Sequence, residues 1–180
     1  HMNFKETLYL RTIDDESFLG FSRCNVFEAD NKKITVNDVF ANKLLSDKHD
    51  RLINKKSLLN NIKQIFKTNY FENEFGAVNL KKIDKTDFKK LDYKGLFFNI
   101  EKYWQDENWG EDLQLFKSNF FNVIDSLKEY NLEGREYYYI NLEEATKEVF
   151  INPECWIYFV GIFSIDTEKG NVIVMYFANN

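Results

Sequence analysis

Histidine, proline, cysteine and glycine are all scarce in this chain, and each shortage closes off a class of chemistry. The 180 residues hold two histidines, one proline (Pro153), two cysteines and seven glycines. His1-Met2 has the form of a leader left by cloning and stands outside the reading. His49 is then the single usable imidazole, so any Ser-His-Asp or Cys-His arrangement has to employ it. It lies in the polar run Ser46-Asp47-Lys48-His49-Asp50-Arg51 with no nucleophile pattern beside it, and reads as a solvated loop residue. Cys24 and Cys155 fit no zinc spacing. They read as two buried, reduced thiols of a cytosolic protein, with a single bridge between them as the alternative. The glycines stand apart from one another, which leaves no phosphate cradle. No stretch of about 18 apolar residues without charge is present, so no membrane span is expected. No signal segment opens the chain, although one removed earlier would leave the same sequence.

What is abundant is Asn, Lys, Phe, Ile and Tyr, the composition an AT-rich genome writes by default. Many lysines therefore carry no message. With no Pro- or Gly-rich linker, residues 3–180 read as a single globular domain.

The stretch from Cys155 to Phe177 organises the rest. Two apolar runs rich in β-branched and aromatic residues flank Asp166-Thr167-Glu168-Lys169-Gly170-Asn171, the pattern of an antiparallel hairpin. Trp156, Tyr158, Val160 and Ile162 are expected on one face, and Ile157, Phe159 and Phe163 on the other. Because both faces are apolar, the hairpin belongs inside a sheet, covered on both sides or leaving one side sticky. Upstream, residues 4–27 read as a further strand–turn–strand. Helical spacing appears from Thr35 (Val36, Val39, Phe40, Leu44), from Ser57 (Leu58, Ile62, Ile65), from Thr86-Asp87 (Phe88, Leu91, Phe98, Tyr103) and from Glu111-Asp112 (Phe116, Phe120, Ile124). The fold class is therefore α+β. An antiparallel sheet is built mainly from 137–141, 156–166 and 171–177, with N-terminal strands added, and about four helices pack against it.

Charge is uneven. Residues 1–31 carry 3 basic and 6 acidic side chains, residues 32–102 carry 16 and 9, and residues 103–180 carry 5 and 14, for a net charge of −5. The Lys-rich middle invites a nucleic-acid reading, but it is nearly all Lys where phosphate readers favour Arg, and the pI is near 5.2. Nucleic acid is therefore disfavoured. Acid pairs such as Asp14-Asp15-Glu16, Glu143-Glu144, or Asp84 with Asp92-Tyr93-Lys94 are the raw material of a cation-assisted hydrolase. Adjacent acids on a polar surface are more often solvated turns. No catalytic, cofactor-binding or metal-ligating residue is assigned, and no cofactor.

One stretch stands out, Tyr103-Trp104-Gln105-Asp106-Glu107-Asn108-Trp109-Gly110-Glu111-Asp112. Trp is a frequent interface anchor, and acids around it would steer a cationic partner. Asp106, Glu107, Trp109, Glu111 and Asp112 are the candidate partner-binding residues. The expected function is that of a non-enzymatic, cytoplasmic protein-binding module. Its most concrete form is a bacterial immunity-type inhibitor that occludes a cognate, basic toxin domain stoichiometrically. A carboxylate-based, metal-dependent hydrolase or nuclease is the alternative. A self-associating subunit, dimerising through the apolar face of the closing hairpin, is a second alternative.

Overall fold

In a computed structural model, the described residues are 2–13, 20–31, 33–51, 71–105 and 109–179. Strand β1 (Phe4–Ile13) pairs with β2 (Phe21–Ala29), and helix α1 (Val36–Ala41) follows. Two-residue strands β3 (Glu74–Phe75) and β4 (Val78–Asn79) form a small hairpin of their own. After β5 (Lys89–Leu91) come helices α2 (Tyr93–Trp104) and α3 (Asp112–Ser126), then β6 (Glu136–Asn141), β7 (Tyr158–Asp166) and β8 (Asn171–Asn179). The main sheet is six-stranded and antiparallel throughout, in the order β1-β2-β8-β7-β6-β5.

The closing hairpin holds the centre. Every residue of β7 and β8 is buried. Phe159, Phe163, Val172, Val174 and Tyr176 pack with α1 and the β3–β4 hairpin. Tyr158, Val160, Ile162, Ile173, Met175 and Phe177 pack under α2 and α3. Both faces of the hairpin are thus occupied by packing within the chain. Its turn is closed by Asp166, whose carboxylate accepts from the Glu168 and Lys169 amides at 3.0 and 3.2 Å. Gly170 supplies the φ of +74° that the chain needs to re-enter β8. Arg135, with its side chain fully buried, ties the hairpin base to the preceding turn. It donates to Ser164 Oγ at 2.7 Å, Asn171 Oδ1 at 2.5 Å and the Tyr130 carbonyl at 3.0 Å.

The sequence reading holds for an antiparallel α+β sheet but not in full for the helices. Three helices lie among the described residues; the one expected from Ser57 falls outside them. The helix expected from Thr86-Asp87 starts later. Those residues close a 3-10 turn, Lys89–Leu91 becomes an edge strand, and Asp92 caps α2 by accepting from Gly95 N at 2.7 Å. The alternation assigned to the closing hairpin fails at its start. β7 begins at Tyr158, and Trp156 packs beside Phe21 and Phe159 on the face opposite Tyr158. Cys24 is buried and free, whereas Cys155 is free but exposed, so only the first matches the expected pair of buried thiols.

Candidate functional site

Two polar clusters interrupt the apolar packing, one on each face of the sheet. The first grows from the period-two geometry of β1 and β2, which puts Tyr9 opposite Asn25 and Arg11 opposite Arg23. Two arginines directly opposed and buried need compensating charge, which the segment after α1 provides. Arg23 donates to Asp47 Oδ1 at 2.7 Å and to the Ser46 and Leu45 carbonyls at 3.2 and 2.9 Å. Arg11 meets Asp50 at 2.9 Å and the Tyr176 hydroxyl at 3.2 Å, and Tyr9 Oη donates to Asp50 at 2.7 Å. Arg23 also lies over the Tyr176 ring, 5.0 Å from its centroid. The Asp47 carboxylate takes a further bond from Gly76 N at 3.0 Å, which brings the β3–β4 hairpin into the same network.

Burial governs the ionisation of this cluster. It pushes the Asp47 carboxyl up to about 6 against the pull of Arg23, and with the Asp47 charge it pushes Glu74 up to about 7. His49 is half-buried against the Phe27 ring, 4.9 Å between centroids, with Nε2 3.1 Å from the Lys43 carbonyl. Burial and the neighbouring cations Lys48 and Arg23 lower it to about 4. His49 is thus a neutral packing residue and not the solvated one expected. Among the described residues, no three His, Cys, Asp or Glu side chains are placed to share a metal ion.

The second cluster sits at one end of the sheet, where β7 begins, β8 ends and α3 starts. Tyr158 and Asn179 are cross-strand partners, 1% and 0% exposed. Asn179 Nδ2 donates to Asp112 Oδ1 at 3.1 Å, in the first turn of α3. Trp109 lies over Tyr158, with ring centroids 4.9 Å apart, and Phe116 packs against both rings, 4.9 Å from Trp109 and 5.4 Å from Tyr158. Gly20 allows the close approach of β2: a Cβ there would meet Leu115 at 2.3 Å and Tyr158 Oη at 3.2 Å. Two atoms in this cluster, Tyr158 Oη and Asn179 Oδ1, are buried and have no hydrogen-bond partner among the described residues. Burial and the Asp112 charge both push the Tyr158 hydroxyl well above its ordinary range. Just outside, Ile157 N donates to the Asn179 carbonyl at 2.8 Å while its side chain stays 52% exposed.

The residues picked out by sequence divide accordingly. Asp106 and Glu107 lie outside the described residues. Trp109 is corrected from exposed anchor to core. It is 7% exposed, its Nε1 donates to the Tyr103 carbonyl at 2.9 Å, and its ring is enclosed by Tyr103, Phe116 and Tyr158. Glu111 is exposed and Asp112 half-buried, and the structure brings Asp112 together with Tyr158 and Asn179, which the sequence reading did not group with it. A signal for the missing members existed: Asn179 is a polar residue continuing an apolar strand that had been ended at Phe177. Compared with protein-family models, curated proteins and solved structures, the chain matches none of them. Its function therefore has to be argued from its own geometry.

Proposed function

We propose that this protein is a binding module, most concretely an immunity-type inhibitor that caps a basic toxin domain one to one. The observation that supports it is where the negative charge ends up. Glu111, Glu129, Glu133, Glu143, Glu148 and Glu154 are all exposed and make no ion pair among the described residues. Among the described residues, the lysines of the middle segment reach two acids of the final third, Glu136 through Lys90 at 3.6 Å and Glu144 through Lys89 and Lys102 at 2.8 and 3.8 Å. Unpaired carboxylates of one sign set up a field that speeds encounter with a cationic partner and selects against acidic ones. Ile157, exposed and bonded through its backbone to Asn179, whose amide reaches Asp112, supplies the apolar contact that a charged rim surrounds in a stable interface. The docking face thus shifts from the indole of Trp109 to the surface next to it.

The test is co-expression with the toxin domain encoded beside this reading frame, followed by gel filtration at low and high salt. A single 1:1 peak whose association slows as salt rises is the expected result. Two separate peaks at low salt refute the proposal.

A further inference from the structure

Resting on the reading just given, we infer that Asp112, Asn179 Oδ1 and Tyr158 Oη form the seat for an arginine side chain of the protein partner. Buried polar groups in folded proteins are nearly always paired, because an unmade hydrogen bond in a dry site carries the full desolvation penalty. Here two such atoms, on cross-strand neighbours, are left without partners beside the same helix start. The site is rich in acceptors. The Asn179 amide turns its donor toward Asp112 and leaves its carbonyl oxygen free; the remaining carboxylate oxygen of Asp112 is a second acceptor, and Tyr158 Oη accepts as well as donates. An anion is the ordinary ligand of a helix N-terminus, but Asp112 already fills that role at α3, so a further anion would be repelled. The matching ligand carries several N–H donors and a positive charge. A planar guanidinium supplies both.

Trp109, which lies over Tyr158, leads into an exposed turn at Gly110. Gly110 is exposed and has no atom within 4 Å of where a Cβ would stand. Entry requires that turn, with Trp109, to move aside, which couples recognition to displacement of an indole that otherwise belongs to the core.

The experiment titrates the free protein with ethylguanidinium, the arginine side-chain analogue, and with ethylurea, its uncharged counterpart. NMR follows the Asn179 side-chain amide and the Trp109 indole N–H. Ethylguanidinium is expected to give saturable shifts with a Kd on the order of millimolar, as suits so small a ligand. Ethylurea is expected to bind at least about tenfold more weakly, a difference of one charge-assisted hydrogen bond. Asp112→Asn and Tyr158→Phe should each weaken the ethylguanidinium titration by about tenfold. Tyr158→Phe should leave the melting temperature unchanged or raised, because it removes a hydroxyl that bonds to nothing. Equal response to the two compounds, or no saturable shift, overturns the inference. So does Tyr158→Phe melting lower while its titration is unchanged, the mark of a resident water only. If Tyr158→Phe and Asp112→Asn bind the toxin domain as tightly as the wild type, the arginine seat is lost while the inhibitor reading stands. If ethylguanidinium binds as described but no toxin complex forms, the inhibitor reading fails and the seat remains a guanidinium site.

Discussion

The two polar clusters are buried to a similar depth on opposite faces of one sheet, yet they are built on opposite principles. Around Arg11 and Arg23, two cations meet two carboxylates, a tyrosine hydroxyl and two main-chain carbonyls, and the segment after α1 is held against β1 and β2. Around Tyr158 and Asn179, acceptors outnumber donors and two atoms stay unpaired. The first is a clamp held by compensated charge, although Arg11 Nε, Arg23 Nε and Asn25 Oδ1 have no hydrogen-bond partner among the described residues. The second meets its carboxylate with an amide and no ion pair among the described residues, and its two orphaned atoms carry the same kind of desolvation cost.

The comparison is broken most severely by removing one side of the clamp. Arg23→Ala strands Asp47 in a buried position, and urea denaturation should show a loss of about 3–5 kcal/mol. His49 gives the next effect. Its folded pKa, about 4, lies below the unfolded value, so the unfolded chain takes up the proton first. The stability it contributes is present at neutral pH and is lost as pH falls from about 6.5 through 4. For a half-buried ring the loss should be about 1–2 kcal/mol, and His49→Gln should flatten that limb of a stability–pH curve. Glu74 works in the other direction. With a folded pKa raised to about 7, its contribution is present in acid and lost as pH rises from about 4.5 through 7. Glu74→Gln should therefore unfold about 1 kcal/mol later than the wild type at pH 8 and alike at pH 4. The smallest effect belongs to the rim: Ile157→Ser should alter stability by under about 0.5 kcal/mol while weakening the toxin complex, read by chemical denaturation and a binding titration.

The parts of the fold legible in the sequence are those set by local periodicity. The central hairpin, β6 and α3 follow from alternating or helical spacing with turn chemistry that agrees, and the α1 start follows from a Thr35–Asp38 capping box. The helix start misplaced at Thr86 shows the limit: Asp84 and Asp92 are both good caps, and only pairing of Lys89–Leu91 with β6 decides between them. The candidate site was legible by half. Glu111 and Asp112 stood out as acids at a helix start, but Trp109 in an acidic stretch looks like surface, and it is enclosed by Tyr158 from a strand far along the chain. The inward arginines were in view as Tyr9/Arg11 and Arg23/Asn25 on matching strand positions. Their meaning needed Asp47 and Asp50, which local pattern assigns to a solvated loop.

The sheet order carries a consequence for synthesis. β8 is made after every other described strand, yet it lies between β2 and β7, so the N-terminal pair has no inner neighbour until the chain has emerged almost to Asn179. Until then β2 shows an open edge and uncovered apolar side chains on both faces, Val26 on one and Phe27 on the other, the sort of surface that associates with other nascent chains. A ribosome that stalls before Val172 would hold a chain with two separated half-sheets, a natural client for a chaperone.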